Sequence, residues 1–252
     1  MKITAVIPAR GGSKGIPRKN LVEICGKPLF YYALSIARRS RWINDILVST
    51  EDAEIAEAAR ALGPYVPFLR DPRAATDTAM EYDILRDLNR KYARYGITKP
   101  DVIVWLRPPW LFRLAEEVDG CIETLLQSRT LTAVRSICRS EARLYRTSGR
   151  LLVPLLPGLR GKSVIRRQDV PAGYAVYAID AFRYPKDGRF SENYFGRRVG
   201  YYEIGPFGHL DIDDAHELEL CRSLMDNPDV RQRYFPELAE APCGPLMRSP
   251  VR

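Results

Sequence analysis

Residues 9–21 read Ala-Arg-Gly-Gly-Ser-Lys-Gly-Ile-Pro-Arg-Lys-Asn-Leu and follow an apolar run, residues 3–7, that is typical of a buried strand. Three glycines let this backbone turn sharply and come close to a ligand, because glycine has no Cβ. The segment also carries four cations, Arg10, Lys14, Arg18 and Lys19. Turned backbone amides and fixed cations together suit a polyphosphate. The segment, which we call the phosphate loop, therefore predicts an anion site at the end of a first strand.

The phosphate loop is neither a Walker A motif nor a dinucleotide-binding fingerprint. Gly26-Lys27 is followed by Pro28 where Walker A requires Ser or Thr, and the loop has no Gly-x-Gly-x-x-Gly pattern. On these residues alone, a solvated basic turn after an edge strand stays open as the alternative.

Length and composition are those of an ordinary globular protein. The 252 residues are 46% hydrophobic and 28% charged, which allows one large domain or two small ones. No run of about 18 apolar residues predicts a transmembrane helix, and the first residues lack a signal-peptide pattern. The five cysteines are scattered without a Cys-x-x-Cys pair, so we expect reduced thiols in a cytoplasmic protein, not a disulfide or zinc framework.

The net charge of +8 admits three kinds of partner: nucleic acid, a membrane surface or a small polyanionic substrate. The charge is concentrated over residues 135–167, where eight Arg and one Lys face a single acid, Glu141. Spaced Arg residues suit carboxylate and phosphate recognition, and a solvated basic face is the alternative. The chain lacks any nucleic-acid reader motif, and its charge forms neither a basic tail nor a run of Lys, so we expect neither a nucleic-acid nor a membrane partner.

Strand and helix patterns alternate after the phosphate loop. They predict a helix over residues 28–40, a strand over residues 45–49, a helix over residues 50–62 and a clearly buried strand over residues 102–106. Short connections between such elements predict a wound α/β domain with a mostly parallel sheet. Ligands of such sheets bind at the carboxyl ends of the strands, where the phosphate loop lies.

Residues 7–20, Ile-Pro-Ala-Arg-Gly-Gly-Ser-Lys-Gly-Ile-Pro-Arg-Lys-Asn, closely resemble the N-terminal signature of the acylneuraminate cytidylyltransferases, also called CMP-sialic acid synthetases. Enzymes of this family activate nine-carbon acidic sugars with CTP. The resemblance covers roughly residues 3–225 and implies a Rossmann-like, GT-A-like nucleotidyltransferase fold in three layers. It implies catalytic roles for Arg10 and Lys19 and a CTP-binding set of Arg10, Gly12, Ser13, Lys14, Lys19, Asn20 and Arg70.

Arg70 lies in a predicted loop, residues 67–78, that also contains Asp77. In the resembled family an Arg of the corresponding segment helps to recognise the cytidine. On the residues alone, Asp77 is also a candidate N-cap for the following helix, which is predicted to reach about Tyr95.

Residues 106–113, Leu-Arg-Pro-Pro-Trp-Leu-Phe-Arg, resemble the family segment Gln/Arg-Pro-Thr-Ser-Pro-Leu/Phe-Arg, which bounds the sugar side of the site. Pro109 and Trp110 replace its two small hydroxyl residues, so we expect a sugar other than N-acetylneuraminic acid. Residues 166–171 resemble the family's Arg-Gln-x-Leu-Pro. The resemblance implies a sugar-binding set of Arg107, Trp110, Arg167 and Tyr177.

An Arg- and Leu-rich segment, about residues 138–172, is broken by glycines and prolines. In the family this is an inserted element that builds a homodimer and reaches the partner's sugar site. We therefore expect a homodimer of a cytidylyltransferase domain, residues 1–227, that contains this small dimerisation insert. Residues 228–252 hold five prolines and predict an extended C-terminal tail.

Asp211 and Asp213 flank Ile212 near the C-terminus. Period-two geometry puts the two carboxylates on one face and Ile212 toward the core. Paired carboxylates beside a triphosphate suit Mg²⁺, and the family has an Ile-Asp-Ile-Asp element with this role. Helix capping is the alternative, but its spacing, Asp214 with Glu217, accounts for neither acid of the pair.

These patterns together predict a Mg²⁺-dependent cytidylyltransferase that joins CMP from CTP to a sialic-like nonulosonic acid and releases pyrophosphate. A cytidylyltransferase for a different, Kdo-like acidic sugar and a non-catalytic nucleotide-binding homologue are the alternatives. The work of the site would be positioning and electrostatics, without a covalent intermediate.

Overall fold

The computed structural model describes residues 1–140, 144–156, 158, 163, 166, 168, 170–240 and 243. Its strands are β1 (Ile3–Pro8), β2 (Glu23–Ile24), β3 (Lys27–Pro28), β4 (Asp45–Ser49), β5 (Val102–Trp105), β6 (Ala133–Ser140), β7 (Tyr145–Ser148), β8 (Leu151–Pro154), β9 (Gly173–Arg183) and β10 (Val199–Glu203). Its α-helices are α1 (Leu29–Arg39), α2 (Ala53–Ala61), α3 (Glu81–Arg94), α4 (Ala115–Gln127), α5 (Ala215–Asp226) and α6 (Pro228–Tyr234).

The main sheet has six strands in the order β10-β6-β9-β5-β1-β4. Strand β1 runs parallel to β4 and to β5, and β10 runs parallel to β6. Only β9 is antiparallel to its neighbours β5 and β6. The predicted α/β fold with a mostly parallel sheet is therefore confirmed, and β1, which leads into the phosphate loop, lies between two parallel partners.

Helices cover both faces of this sheet, which gives three layers. Ala5 and Ile7 of β1 belong to the core that α1 and α4 cover, whereas Val6 between them belongs to the core beneath α3. Because alternate side chains of a strand face opposite sides and β1 is buried on both, its sequence is apolar except for Thr4, whose hydroxyl donates to Oδ2 of Asp45 at 2.8 Å. The carboxyl ends of β1 and β5 are thus held rigidly at one edge of the sheet.

Helix α3 begins at Glu81 with Met80 as its N-cap residue, so the prediction that Asp77 caps this helix is wrong. The side chain of Asp83 reaches back to the backbone N–H of Met80 at 3.0 Å and fixes the N-cap three residues later than the sequence suggested. The predicted end near Tyr95 is confirmed. Asp77 is left in the loop before the helix, where it faces the phosphate loop.

The C-terminal segment is more ordered than predicted. Residues 228–234 form α6, and a 3₁₀-helix, Pro236–Leu238, follows. Phe235 between them is fully buried, with its ring centroid 4.7 Å from that of Tyr32 in α1. The expectation of an extended tail is therefore wrong over this part, because these aromatic side chains complete the core. Residues 241–242 and 244–252 lie outside the described residues.

Two of the five cysteines form a disulfide bond, so the prediction of reduced thiols is wrong for Cys25 and Cys243. Cys25 lies in the tight turn between β2 and β3, and its partner is 218 residues further along the chain. Sequence spacing could not reveal this pair, because the tertiary fold brings the two ends together. Cys121, Cys138 and Cys221 are free and buried.

The inserted segment is described in part. Its strands β7 and β8 form an antiparallel hairpin that is separate from the main sheet. Residues 141–143, 157, 159–162, 164–165, 167 and 169 lie outside the described residues, which leaves much of the expected insert untested. Among the helices that the structure describes, none is both long enough and apolar enough to span a bilayer.

Gly15 is the glycine whose replacement should disturb the fold most directly. A Cβ at Gly15 would lie 2.0 Å from the backbone oxygen of Asp213, whereas a Cβ at Gly12 would meet no atom within 4 Å. We expect Gly15→Ala to lower the free energy of unfolding by about 1–3 kcal/mol, as overpacking does. Gly12→Ala, the matched control, should change it by less than about 0.5 kcal/mol. Urea denaturation of both variants measures this, and equal stabilities would contradict the close approach.

Candidate active site

A cavity of about 590 Å³ opens at the carboxyl ends of β1 and β5. This volume is in the range of small-molecule sites. Nine of the predicted site residues line it: Arg10, Ser13, Lys14, Lys19, Asn20, Arg70, Arg107, Trp110 and Asp213. Gly12, Tyr177 and Asp211 do not belong to its lining, and Arg167 lies outside the described residues. The cavity thus brings together residues from both ends and the middle of the sequence.

Asn20 holds the phosphate loop in shape. Its side chain is buried, and its Nδ2 donates to the carbonyl oxygen of Arg10 at 2.9 Å. Its Oδ1 is buried and has no hydrogen-bond partner within the described part of the chain. Asn20 thus closes the loop on itself, while the expected contact with the nucleoside stays a prediction.

Two cations of the phosphate loop pair with an acid across the cavity. Asp77 lies 3.4 Å from Nη1 of Arg10 and 3.2 Å from Nζ of Lys14. The carboxylate and the Lys14 side chain are more than half exposed, and exposed ion pairs contribute only about 0–1 kcal/mol. A polyanion could therefore displace Asp77 at little cost and take both cations.

Arg70 forms part of the cavity wall and is almost fully buried. Burial lowers the pKa of Arg70 below its usual value, and the nearby carboxylate of Glu51 opposes this effect. Nη2 of Arg70 donates to Oε2 of Glu51 at 2.9 Å. The guanidinium is therefore a fixed donor that keeps its charge inside the protein.

Lys19 connects the phosphate loop to the acidic pair. Its Nζ donates to the carbonyl oxygen of Ile212 at 2.8 Å and lies 3.0 Å from Oδ1 of Asp213. Ile212 is fully buried, while its neighbours Asp211 and Asp213 lie outside the core, as period two predicts. The first and last thirds of the chain thus meet at one ion pair.

The acidic pair has the electrostatics of a cation site. Burial, with the like charge of Asp213, raises the pKa of Asp211 to about 7, and Lys19 opposes this shift. Oδ1 of Asp211 is buried and finds no hydrogen-bond partner among the described residues. An unpartnered oxygen beside a second carboxylate fits a bound cation. The cation would be a partner for the buried oxygen and would offset the repulsion between the two carboxylates. No group of three or more His, Cys, Asp or Glu side chains with metal-site geometry occurs within the described residues.

Asp214 has a separate, structural task. Its Oδ1 accepts from the backbone N–H groups of His216 and Glu217 at 2.8 and 2.9 Å, which caps α5. Glu217 completes the capping box by accepting from the N–H of Asp214 at 3.1 Å. Capping therefore accounts for Asp214 and leaves the side chains of Asp211 and Asp213 to the cavity region.

Arg107, predicted to contact a sugar, already forms ion pairs with acidic residues of its own chain. Its Nη1 lies 2.7 Å from Oδ2 of Asp180, and its Nη2 lies 3.2 Å from Oε1 of Glu81. The other oxygen of Asp180 lies 2.7 Å from Nε of Arg135, and Asp180 is fully buried. Sequence reasoning missed Asp180, although a lone acid in the apolar run of β9 was the available signal.

An aromatic wall, Trp110 and Tyr177, flanks Arg107. The two rings have centroids 6.1 Å apart, and the Arg107 guanidinium lies 5.9 and 5.7 Å from them. Tyr177 has a φ of 100°, which is strained for a side chain with a Cβ, at a register shift between β6 and β9. Such strain costs on the order of 1–3 kcal/mol and is common at functional sites. Its carbonyl oxygen accepts from Nη1 of Arg107 at 3.0 Å, which fixes this conformation.

Arg113 is a buried structural residue and not part of the cavity wall. Its side chain is completely buried, and its Nη1 donates to the carbonyl oxygen of Ala178 at 2.8 Å. Burial lowers the pKa of Arg113 to about 9. Nearby, the N–H of Ile212 donates to the carbonyl oxygen of Pro109 at 3.2 Å. The segment beside the aromatic wall is therefore fastened both to β9 and to the acidic pair.

The N-terminal part of the chain is similar to known cytidylyltransferases. A family model described as cytidylyltransferase matches residues 4–100, which include β1, the phosphate loop and Arg70. The CMP-N,N'-diacetyllegionaminic acid synthase of Legionella pneumophila is 37% identical over 123 residues, covering 49% of this chain and 53% of that protein. The chain thus matches about half the length of this relative.

Two further likenesses extend over almost the whole chain. The post-translational flagellin modification protein B of Campylobacter coli is 25% identical over 238 residues, or 93% of this chain and 99% of that protein. A solved structure, CMP:2-keto-3-deoxy-manno-octonic acid synthetase complexed with CTP, has a TM-score of 0.65 at 18% identity. It covers 89% of this chain and 98% of its own, so the two share a fold.

Proposed function

We propose that the chain is a cytidylyltransferase that transfers CMP from CTP to a nonulosonic acid and releases pyrophosphate, because a cytidylyltransferase family model matches residues 4–100 and a CMP-sugar synthase is among its relatives. The observation that carries the proposal is the cavity at which Lys19 of the phosphate loop meets Asp213. Cations for a triphosphate and carboxylates for a divalent cation lie together there. The proposal includes a cytoplasmic location, where nucleoside triphosphates are made.

In the proposed reaction, the 2-hydroxyl oxygen of the sugar forms a bond to the α-phosphorus of CTP. The bond from that phosphorus to the bridging oxygen breaks, pyrophosphate leaves, and the hydroxyl proton passes to solvent. Arg10, Ser13, Lys14 and Lys19 would bind the phosphates and offset the charge that develops on the leaving group. Asn20, Arg70 and the backbone at Gly12 would hold the rest of CTP, so that the reacting atoms are positioned before reaction.

Asp211 and Asp213 would hold Mg²⁺ in this proposal. The raised pKa of Asp211 and its unpartnered buried oxygen fit a divalent cation that takes its remaining ligands from water and phosphate. When bound, the ion would neutralise phosphate charge during displacement. Lys19 would keep the Asp213 carboxylate oriented toward the phosphate loop, since it contacts both segments.

The sugar side favours a modified nonulosonic acid over N-acetylneuraminic acid. Trp110 and Tyr177 provide apolar surface, and Pro109 offers no side-chain donor. Because the charge of Arg107 is already compensated by Asp180 and Glu81, it would bound the sugar as a wall and not as a free carboxylate receptor. The legionaminic relative is named for a sugar with two N-acetyl groups, which would suit such a wall. Arg167 stays a predicted sugar contact.

Pyrophosphate release from a panel of nucleotides and acidic sugars tests this proposal. We expect turnover with CTP in preference to ATP, GTP and UTP, and with a diacetylated or deoxygenated nonulosonic acid in preference to N-acetylneuraminic acid. The reason is that an indole wall removes hydrogen-bonding room and adds apolar contact. Preference for a Kdo-type sugar would contradict the assignment of a nonulosonic acid and favour the alternative of a cytidylyltransferase for a Kdo-like sugar. Tight CTP binding without turnover of any sugar would indicate a non-catalytic homologue.

Replacing the acidic pair separates catalysis from stability. Asp211→Asn or Asp213→Asn should reduce kcat on the order of 10²-fold or more, because Asn contributes no formal charge to a divalent cation. The control is Asp214→Ala, which should cost about 1 kcal/mol of stability through the lost cap and leave kcat near that of the parent. Steady-state kinetics and thermal melting on all three variants measure this. Near-normal kcat in both Asn variants would remove the pair from the site.

We also propose that a second copy of this chain covers the β7–β8 hairpin. A two-stranded hairpin is marginal by itself, yet Leu151 and Leu152 are 70% and 72% exposed, with Leu144, Tyr145 and Leu155 also exposed. The proposed occupant is the same hairpin of another copy, because closed pairing of one patch with itself gives a dimer.

Light scattering after size exclusion tests the dimer. The parent chain should show the mass of two chains, and Leu151→Lys with Leu152→Lys should show the mass of one, because the charges would be buried. Leu220→Lys, at a leucine on α5 that is 48% exposed, is the control and should keep the dimer mass. A single-chain mass for the parent at micromolar concentration would contradict the proposal.

A further inference from the structure

Glu51 connects two parts of the site that lie far apart in sequence. It lies two residues after the end of β4, in the turn that leads into α2. Its Oε1 accepts from the backbone N–H of Gly11 at 2.8 Å, and its Oε2 lies 2.9 Å from Nη2 of Arg70. One carboxylate thus contacts the phosphate loop with one oxygen and the proposed nucleoside residue with the other.

The backbone around Glu51 reinforces this arrangement. The N–H of Ala9 donates to the carbonyl oxygen of Ser49 at 2.9 Å, and the N–H of Arg70 donates to that of Thr50 at 2.7 Å. The end of β4 therefore anchors the phosphate loop on one side and the Arg70 segment on the other. The side chain of Glu51 is only 18% exposed, so its two contacts are shielded from solvent.

Close packing makes the geometry of this turn demanding. A Cβ at Gly11 would lie 2.3 Å from Oδ2 of Asp52, the residue after Glu51. Asp52 in turn caps α2 and lies 2.7 Å from Nη1 of Arg18 in the phosphate loop. The turn consequently holds the loop at two points, at Gly11 through Glu51 and at Arg18 through Asp52.

We propose that Glu51 is a positioning residue that holds the phosphate loop and Arg70 in fixed register, so that the phosphate and nucleoside ends of the nucleotide are bound as one unit. This inference rests on the proposed function for the identity of the nucleotide. It does not require Glu51 to contact substrate, since both oxygens are engaged by the protein.

The direction in which polyanion affinity changes when Glu51 is replaced distinguishes a positioning role from a purely electrostatic one. A carboxylate near an anion site repels the anion, so removal of its charge should strengthen polyanion binding if charge were all that mattered. If Glu51 positions the loop and Arg70, its removal should weaken binding instead, because the donors are no longer pre-arranged. The two readings thus predict changes in opposite directions.

Three variants separate these readings. Glu51→Gln removes the charge, and one of its two contacts must be lost because an amide has only one acceptor oxygen. Glu51→Asp keeps the charge but shortens the side chain by one methylene, too short to bridge both partners. Glu54→Gln is the matched control, since Glu54 pairs with Arg18 of the same loop at 2.5 Å but is largely exposed on α2.

Calorimetry in the presence of EDTA measures the affinity for inorganic tripolyphosphate, which probes the loop, and for CMP, which probes the nucleoside side. We expect Glu51→Gln and Glu51→Asp each to weaken both ligands about 5- to 10-fold, the equivalent of one lost hydrogen bond. Glu54→Gln should leave both affinities unchanged or slightly tighter. In turnover assays the KM for CTP should rise in the Glu51 variants while the KM for the sugar stays constant.

Thermal melting accompanies each measurement, and Glu51→Asp decides the matter if Glu51→Gln does not fold. Unchanged or tighter tripolyphosphate binding in a folded Glu51 variant would overturn the proposal. Failure of the parent chain to turn over any sugar would overturn the proposed function only, because the two binding measurements do not depend on catalysis.

Discussion

The contact between Lys19 and the acidic segment is the interaction on which the site depends. It joins residues 194 apart in sequence, with Nζ of Lys19 3.0 Å from Asp213 and 2.8 Å from the carbonyl oxygen of Ile212. The same approach leaves no room for a Cβ at Gly15. Without this contact, the loop and the acidic pair would be two unrelated charged segments at the edge of a sheet.

The parts that sequence could predict are those with a local cause. The largely apolar sequences of β1 and β5 reflect burial on both faces, and the glycines and cations of the phosphate loop all lie within residues 10–19. Both features can therefore be recognised without the fold. The alternation of a buried Ile212 with less buried neighbours was an equally local feature. These features sufficed to predict the α/β architecture and to identify several of the residues that line the cavity.

The parts that sequence could not predict depend on long-range partners. Arg107 matched a motif, but its ion pairs with Asp180 and Glu81 could not be predicted. They form only because β9 pairs with β5 and α3 packs beneath these strands. Asp77 looked like a helix cap until the side chain of Asp83 fixed a later start, which freed Asp77 to face Arg10. The disulfide of Cys25 and the burial of Phe235 likewise follow from how the C-terminal segment packs on α1 and the β2–β3 turn.

The cations of the site form two kinds of ion pair, which differ in how deeply the carboxylate partner is buried. Arg70 and Arg107 pair with carboxylates that are mostly or wholly buried, and breaking such a pair would strand a charge away from water. Arg10 and Lys14 pair with the exposed Asp77, where exchange for another anion costs little. The buried pairs therefore shape the cavity and the exposed pairs are exchangeable. A chain with a net charge of +8 can in this way keep a preformed anion site without leaving bare cations to repel one another.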